Sequence, residues 1–349
     1  MFSVIISYRE SDEKRRNNLI SVLNYLSWLM SGDSEIILIE QDKKSKIDWL
    51  DSVTKNQYIK HIFVQNSGTF NKGWGYNIGA KSSKNNILLF NDADVLIKLN
   101  CYKYCIDIIN KPQNIFDVIK PYDSIVFLNE QSTDIFINTH YSFTKIELGE
   151  NVQNGVISGG IFIIKRDSFL NLKGFDEDCF GYGHEDDIFD VKMRKMNLKI
   201  HIYRDIALHL YHDILNNDIY FKYMNNNKKL YDIYLNMDID DLKEKIESTK
   251  EFGEIGANTF NRITSEQIKS DITDDVVKKI IKSVLEQIDD DFINDLIKSC
   301  TDEIKTTIFN ILSEKLKEKF KELKLNEENK NSFFNKIKKM IFSDEQSIN

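Results

Sequence analysis

Proline is nearly missing from this 349-residue sequence, which contains two, and no proline-rich or glycine-rich stretch marks a linker. Cysteine is scarce as well. Cys101, Cys105, Cys179 and Cys300 include no CxxC pair, so neither a zinc ribbon nor a redox dithiol is indicated. In a reducing compartment they stay thiols and serve packing. No apolar run approaches the about 18 consecutive residues that cross a bilayer; the densest stretches, such as residues 161–164, are broken within a few positions. Nor is there a basic excess: Asp and Glu total 55 against 47 Lys and Arg, a formal net charge of -8. That balance argues against a protein whose main task is gripping nucleic-acid phosphates, while leaving room for a small anion in a local pocket. The sequence enters a strand-like segment at Phe2 without the basic start, apolar middle and small-residue cleavage site of a signal peptide, so the expectation is a cytosolic protein.

What is present is 41% apolar and 29% charged, enough for one large domain or two ordinary ones. Through about residue 240, short β-branched runs alternate with helical patterns, the mark of an α/β domain. Residues 4–8, 35–40, 61–65 and 86–90 predict strands, and residues 17–30 carry Leu19, Val22, Leu23, Leu26 and Leu29 at helical spacing. Ligands of such sheets sit beyond the carboxyl ends of the strands. After about residue 245 glycine nearly disappears and Lys, Glu, Asp and Ile dominate. Residues 276–288 and 292–300 predict amphipathic helices, which divides the chain into an α/β domain at 1–245 and a helical appendage at 246–349. The appendage suits packing or self-association, or contact of residues 333–342 with an anionic membrane surface.

Four constellations carry chemistry. An apolar strand runs into Asp92-Ala93-Asp94, which is an ordinary aspartate turn or, if the strand stays extended, a pair of carboxylates on one side, where oxygen ligands suit Mg²⁺ or Mn²⁺ shared with phosphate. Phe70-Asn71-Lys72-Gly73-Trp74-Gly75 combines a stacking face, a point charge and glycines at a helix start, which suits phosphate or simply caps a helix. Ser158-Gly159-Gly160 opens a buried strand and leaves space for a sugar ring. Beyond it, Gly181-Tyr182-Gly183-His184-Glu185-Asp186-Asp187 offers a carboxylate as general base, or ordinary N-terminal helix charge. In Leu208-His209-Leu210-Tyr211-His212, strand alternation puts the histidines on opposite faces, and His212, at the strand's end, is the one assigned to a metal.

In this order the features resemble the GT-A nucleotide-sugar glycosyltransferases, and most of all the β-1,4-galactosyltransferase and chondroitin polymerase group, over residues 1–240. The carriers are Tyr8-Arg9, Phe70-Asn71-Lys72, Asp92-Ala93-Asp94, Ser158-Gly159-Gly160, Gly183-His184-Glu185-Asp186 and His212. The resemblance implies a Rossmann-like, mostly parallel mixed sheet with flanking helices. It implies that Tyr8, Arg9, Phe70, Lys72, Gly159, Gly160 and Tyr182 line the UDP-sugar pocket. Asp94 and His212 would bind Mn²⁺ (or Mg²⁺), and Asp92 metal or ribose. Asp186 would be the base and Glu185 would orient the acceptor. The implied activity is inverting transfer of a hexose or N-acetylhexosamine to a glycan or glycoconjugate hydroxyl, as in polysaccharide biosynthesis. The group's Trp-Gly-Gly-Glu-Asp reads Tyr182-Gly183-His184-Glu185-Asp186 here, and its Phe-Asn-Arg reads Phe70-Asn71-Lys72, charge without a two-pronged donor. Two other readings stay open: a nucleotidyltransferase of similar architecture, needing a second metal and no acceptor base, and an inactive sugar-nucleotide binding module.

Overall fold

The computed structural model describes residues 1–50, 58–146, 152–154, 156–213 and 223–255. The chain divides into two compact units, Met1–Ile263 and Thr264–Asn349, and every described residue belongs to the first. The amphipathic helices expected at 276–288 and 292–300 and the segment 333–342 lie outside the described residues.

The strands are β1 (Ser3–Tyr8), β2 (Glu35–Asp42), β3 (Ile59–Gln65), β4 (Ile87–Asn91), β5 (Val95–Leu96), β6 (Val118–Lys120), β7 (Ser124–Phe127), β8 (Val152–Asn154), β9 (Ile161–Lys165), β10 (Ile200–Ile202) and β11 (Ile206–His209). The α-helices are α1 (Glu13–Ser27), α2 (Lys72–Ser82), α3 (Leu99–Asn110), α4 (Glu130–Asn138), α5 (Arg166–Asn171), α6 (Glu185–Lys195), α7 (Met224–Asn236) and α8 (Ile239–Ser248). A seven-stranded sheet runs β10-β6-β9-β4-β1-β2-β3, parallel except where β9 pairs antiparallel with β4 and β6. A second sheet runs β5-β11-β7-β8. This is the mixed, mostly parallel α/β sheet with flanking helices that the sequence implied.

Helices cover both faces of the central strands, so all six residues of β1 are buried. Alternation along β1 sends Val4 and Ile6 into a core with Leu19, Leu23 and Leu26 of α1, while Ile5 joins Tyr76, Phe162, Phe175 and Phe189 on the other face. Helix α1 begins four residues before the expected start at residue 17, because the Asp12 carboxylate accepts the Arg15 amide at 2.8 Å and starts a wholly polar first turn.

The glycines of α2 serve packing. Glycine inside a helix costs about 1 kcal/mol relative to alanine, yet a Cβ at Gly75 would stand 2.1 Å from Ser7 Oγ and 2.6 Å from Gln41 Nε2, and one at Gly79 2.3 Å from Ile5 Cγ2. Their bare backbone lets α2 lie directly on β1, rather than forming a phosphate cradle. Gly75→Ala should therefore lower unfolding free energy by about 1–3 kcal/mol, the usual cost of overpacking, read from the urea midpoint; an unchanged midpoint would show that the helix can lift.

Packing on this unit continues past residue 245. Leu242 and Ile246 of α8 are buried in its core, and Trp74 Nε1 donates to the Glu254 carbonyl at 3.2 Å.

Candidate active site

Strand β4 ends at Asn91, and the Val95 amide returns to the Asp92 carbonyl at 3.4 Å, so Asp92-Ala93-Asp94 forms a turn. The two carboxylates therefore diverge instead of sharing a side. Asp92 meets Lys72 Nζ at 3.1 Å and accepts from the Tyr76 hydroxyl. Asp94 faces His212 Nε2 at 3.4 Å and His209 Nε2 at 3.7 Å.

Both histidines thus reach one carboxylate, against the expectation of opposite faces. The physical reason is that β11 stops at His209: the Leu210 amide donates to the Asp94 carbonyl at 2.7 Å, and the chain leaves strand geometry before His212. Asp94, His209 and His212 each offer a ligand atom, all within 4.8 Å of one another, and Asp92 is not in that group. Periodicity missed His209; its signal was a second imidazole three residues from the first.

The donor set fits a divalent cation. His212 Nδ1 lies 3.0 Å from the Asp213 carbonyl, so its proton belongs there and the Nε2 lone pair points at Asp94. Burial and the Arg15 charge hold His212 below the usual imidazole range despite Asp94, which favours the neutral, ligating form. Burial works to protonate Asp94, but the Arg15 guanidinium and the two imidazoles facing it hold it below the usual carboxylate range, so it stays charged.

Lys72 ties the turn to the proposed base. Its Nζ lies 3.2 Å from Asp186 Oδ2 and 3.8 Å from Glu185 Oε1, besides Asp92. One ammonium among three carboxylates cannot neutralise them all. Asp186 is accordingly held well above the usual carboxylate range by burial and by the Glu185 and Asp92 charges, against the pull of Lys72.

Glu185 and Asp186 open α6, preceded by His184 in the left-handed region (φ 69°), stacked on Tyr231 with Nδ1 2.8 Å from Asp187. A positive φ is easy for glycine, the residue the resembling group carries there. Asn227 of α7 holds the same loop by donating to the carbonyls of Phe180 (2.8 Å) and Gly183 (3.0 Å). Tyr182 beside it is 48% exposed.

The Ser158-Gly159-Gly160 turn is fixed from below. Lys120 and Tyr122 both donate to the Gly159 carbonyl, while the Gly160 carbonyl accepts the Asp92 amide at 2.8 Å. Gly160 has φ 72°, and a Cβ there would stand 2.3 Å from the Tyr122 hydroxyl. A Cβ on Gly159 would stand 3.3 Å from Asp186 Oδ2, so this bare turn borders the proposed base. Burial pulls Lys120 down to about 7, against the Asp186 and Asp190 carboxylates. The sequence reading did not single it out.

Two further residues expected in the pocket, Arg9 and Tyr8, follow β1 or end it. Arg9 donates from its guanidinium to the carbonyls of Gln41 (2.6 Å), Gly68 (2.7 Å) and Asn66 (3.1 Å), tying the chain after β1 to the end of β2 and to the chain after β3, with Phe70 near its face. These bonds use three of its five N–H donors and fix the guanidinium in place. Tyr8 is buried with no partner for its hydroxyl.

Against this geometry, a family model for glycosyltransferase-like family 2 matches residues 3–222. The chain belongs to that family. The match spans β1 through the histidine pair, so the turn, the base loop and the imidazoles all lie inside the glycosyltransferase region. Among solved structures, this glycosyltransferase is similar to the catalytic domain of Drosophila beta1,4-galactosyltransferase 7 in complex with xylobiose (13% identity, 68% of this chain and 82% of that one, TM-score 0.40). It is also similar to S. aureus TarS (15%, 70% and 68%, 0.43). A third is glucosyl-3-phosphoglycerate synthase of Mycobacterium tuberculosis in complex with Mn²⁺, UDP and phosphoglyceric acid (12%, 66% and 78%, 0.43). No curated protein matches.

Proposed function

We propose that this glycosyltransferase moves a hexose or N-acetylhexosamine from a UDP-sugar to a glycan hydroxyl with inversion, assisted by a divalent cation, with Asp186 as base. One observation carries the reading: the carboxylate–imidazole trio and the Asp186 carboxyl are joined through the Asp92-Ala93-Asp94 turn and Lys72.

Asp94, His209 and His212 would hold the cation, which when bound supplies Lewis-acid charge beside the leaving diphosphate. Two imidazoles with one carboxylate suit Mn²⁺ better than Mg²⁺, which prefers oxygen ligands. Asp186 takes the proton of the acceptor hydroxyl as that oxygen bonds to the anomeric carbon and the bond to the β-phosphate oxygen breaks on the opposite face. Burial suits it to that task, because a carboxylate deprived of water binds a proton more firmly. Lys72 keeps the cluster from accumulating repulsion. Glu185 orients the acceptor sugar, Tyr182 lines the donor side, and the Gly159-Gly160 turn leaves space for a ring against the base. No described group singles out a nucleophile for retention, and among the described residues one such ligand cluster occurs, where nucleotidyl transfer calls for two metals.

The test is thermal shift with a panel of UDP-sugars, each with and without Mn²⁺. The matching donor should raise Tm only with the ion; a ligand at 100 times its Kd adds about 2.7 kcal/mol to the folded state. No shift with any member overturns the UDP-sugar assignment.

The pH profile follows from the base. Asp186 works ionised, and its pKa lies well above the usual carboxylate range, so kcat should rise with pH through that raised value. An acid limb near the ordinary aspartate value of about 4 would contradict the role.

A further inference from the structure

One cation in this cleft has no part in the chemistry above. Arg15, in the first turn of α1, places Nη1 3.6 Å from Asp94 Oδ2 and Nη2 3.3 Å from His212 Nε2. With the His212 proton on Nδ1 toward Asp213, the Nε2 lone pair is what the guanidinium N–H takes. Arg15 therefore rests on the same oxygen and nitrogen that a divalent ion needs. Its seat is imperfect: Nε is buried without a hydrogen-bond partner, so part of its donor fork goes unused. The flanking cations are committed elsewhere, Lys14 to Glu130 and Asp213, and Arg16 to Glu10.

We propose that Arg15 is a diphosphate-binding residue that doubles as a resident cation. It occupies Asp94 and His212 while no divalent ion is bound, yields them to the ion, and then offers its planar fork to the nucleoside diphosphate. This rests on the reading of Asp94, His209 and His212 as cation donors. Two cations cannot use one lone pair, so without nucleotide Arg15 weakens binding of the ion. The diphosphate brings enough negative charge for both, and a guanidinium matches phosphate oxygens in pairs. Arg15 thereby couples the two ligands: the ion frees the fork, and the diphosphate keeps it away from the ion's ligands.

The experiment is calorimetric titration of the full chain, wild type and R15M, with Mn²⁺ alone and then with UDP at saturating Mn²⁺. R15M should bind Mn²⁺ alone more tightly, by about 5-fold or more, the lower end of ordinary coupling, and bind UDP more weakly by a similar factor. R15Q, with Tm recorded for both variants, guards against a folding defect in one of them. K243M, which removes an exposed charge from α8, should match wild type in both titrations. If neither folded Arg15 variant binds Mn²⁺ more tightly, the resident-cation role is overturned; if UDP affinity is unchanged, the diphosphate role is. D94N separates this from the underlying reading: wild-type Mn²⁺ binding that survives D94N overturns the cation site itself. Binding lost in D94N but unchanged in R15M overturns the Arg15 proposal alone.

Discussion

Asp186→Asn is expected to lower kcat by about 10²–10⁴, the usual worth of a general base, while UDP-sugar affinity stays within about twofold. The side chains are nearly isosteric, so the change tests the proton rather than the packing. Two effects compete. Lys72 Nζ loses a charged partner at 3.2 Å, but Asp92 at 3.1 Å remains to hold it, so the ammonium keeps its seat. What disappears is an acceptor for the proton of the attacking hydroxyl, and an amide cannot replace it. Steady-state kinetics alongside a UDP titration separates the two: equal losses in binding and turnover would reduce Asp186 to a structural partner of Lys72. The raised acid limb of kcat should vanish in the same variant, a readout that a packing role would not move.

Asp94→Asn should be of similar severity, lowering kcat/KM by about 10³. Removing one preorganised stabiliser of developing charge costs about 10²–10³ in rate, and Asp94 would act by holding the cation that supplies that stabilisation. The amide also leaves His209, His212 and Arg15 without the one carboxylate they face together. Removing Mn²⁺ with a chelator should mimic the variant in the wild-type enzyme and have little further effect on it. Activity that resists both would show that leaving-group charge is neutralised by protein side chains alone. His209→Asn should fall between wild type and D94N, because His212 remains with its Nδ1 fixed by the Asp213 carbonyl.

Much of this site was legible because its parts are local. The run from Ile87 into Asp92 and Asp94 announces a strand ending in carboxylates whatever the rest of the chain does, and Glu185-Asp186 after a glycine-rich loop announces a helix N-terminus. Asn71 caps α2 by accepting the Trp74 amide at 2.9 Å, at the helix start that the Phe70-Asn71-Lys72 stretch suggested.

Extrapolation of periodicity past an element's end failed. Strand alternation predicted one face for Asp92 and Asp94 and two for His209 and His212; both strands stop first, and the turns that follow reverse each result. Arg15 gave no signal, since a polar first turn reads as a solvated face until α1 is laid beside the histidines.

Element types, the order of the motifs and the kinds of chemistry available were written in the residues, because propensity, capping and donor atoms are properties of short stretches. Which groups share a partner was not. That Lys72 bridges Asp92 to Asp186, that Arg9 ties the end of β2 to the loop after β3, and that Arg15 reaches His212 are consequences of contacts between segments up to 197 residues apart. Such pairings arise from strand order and from helix packing on bare glycine backbone, and these depend on the assembled sheet rather than on any window of sequence.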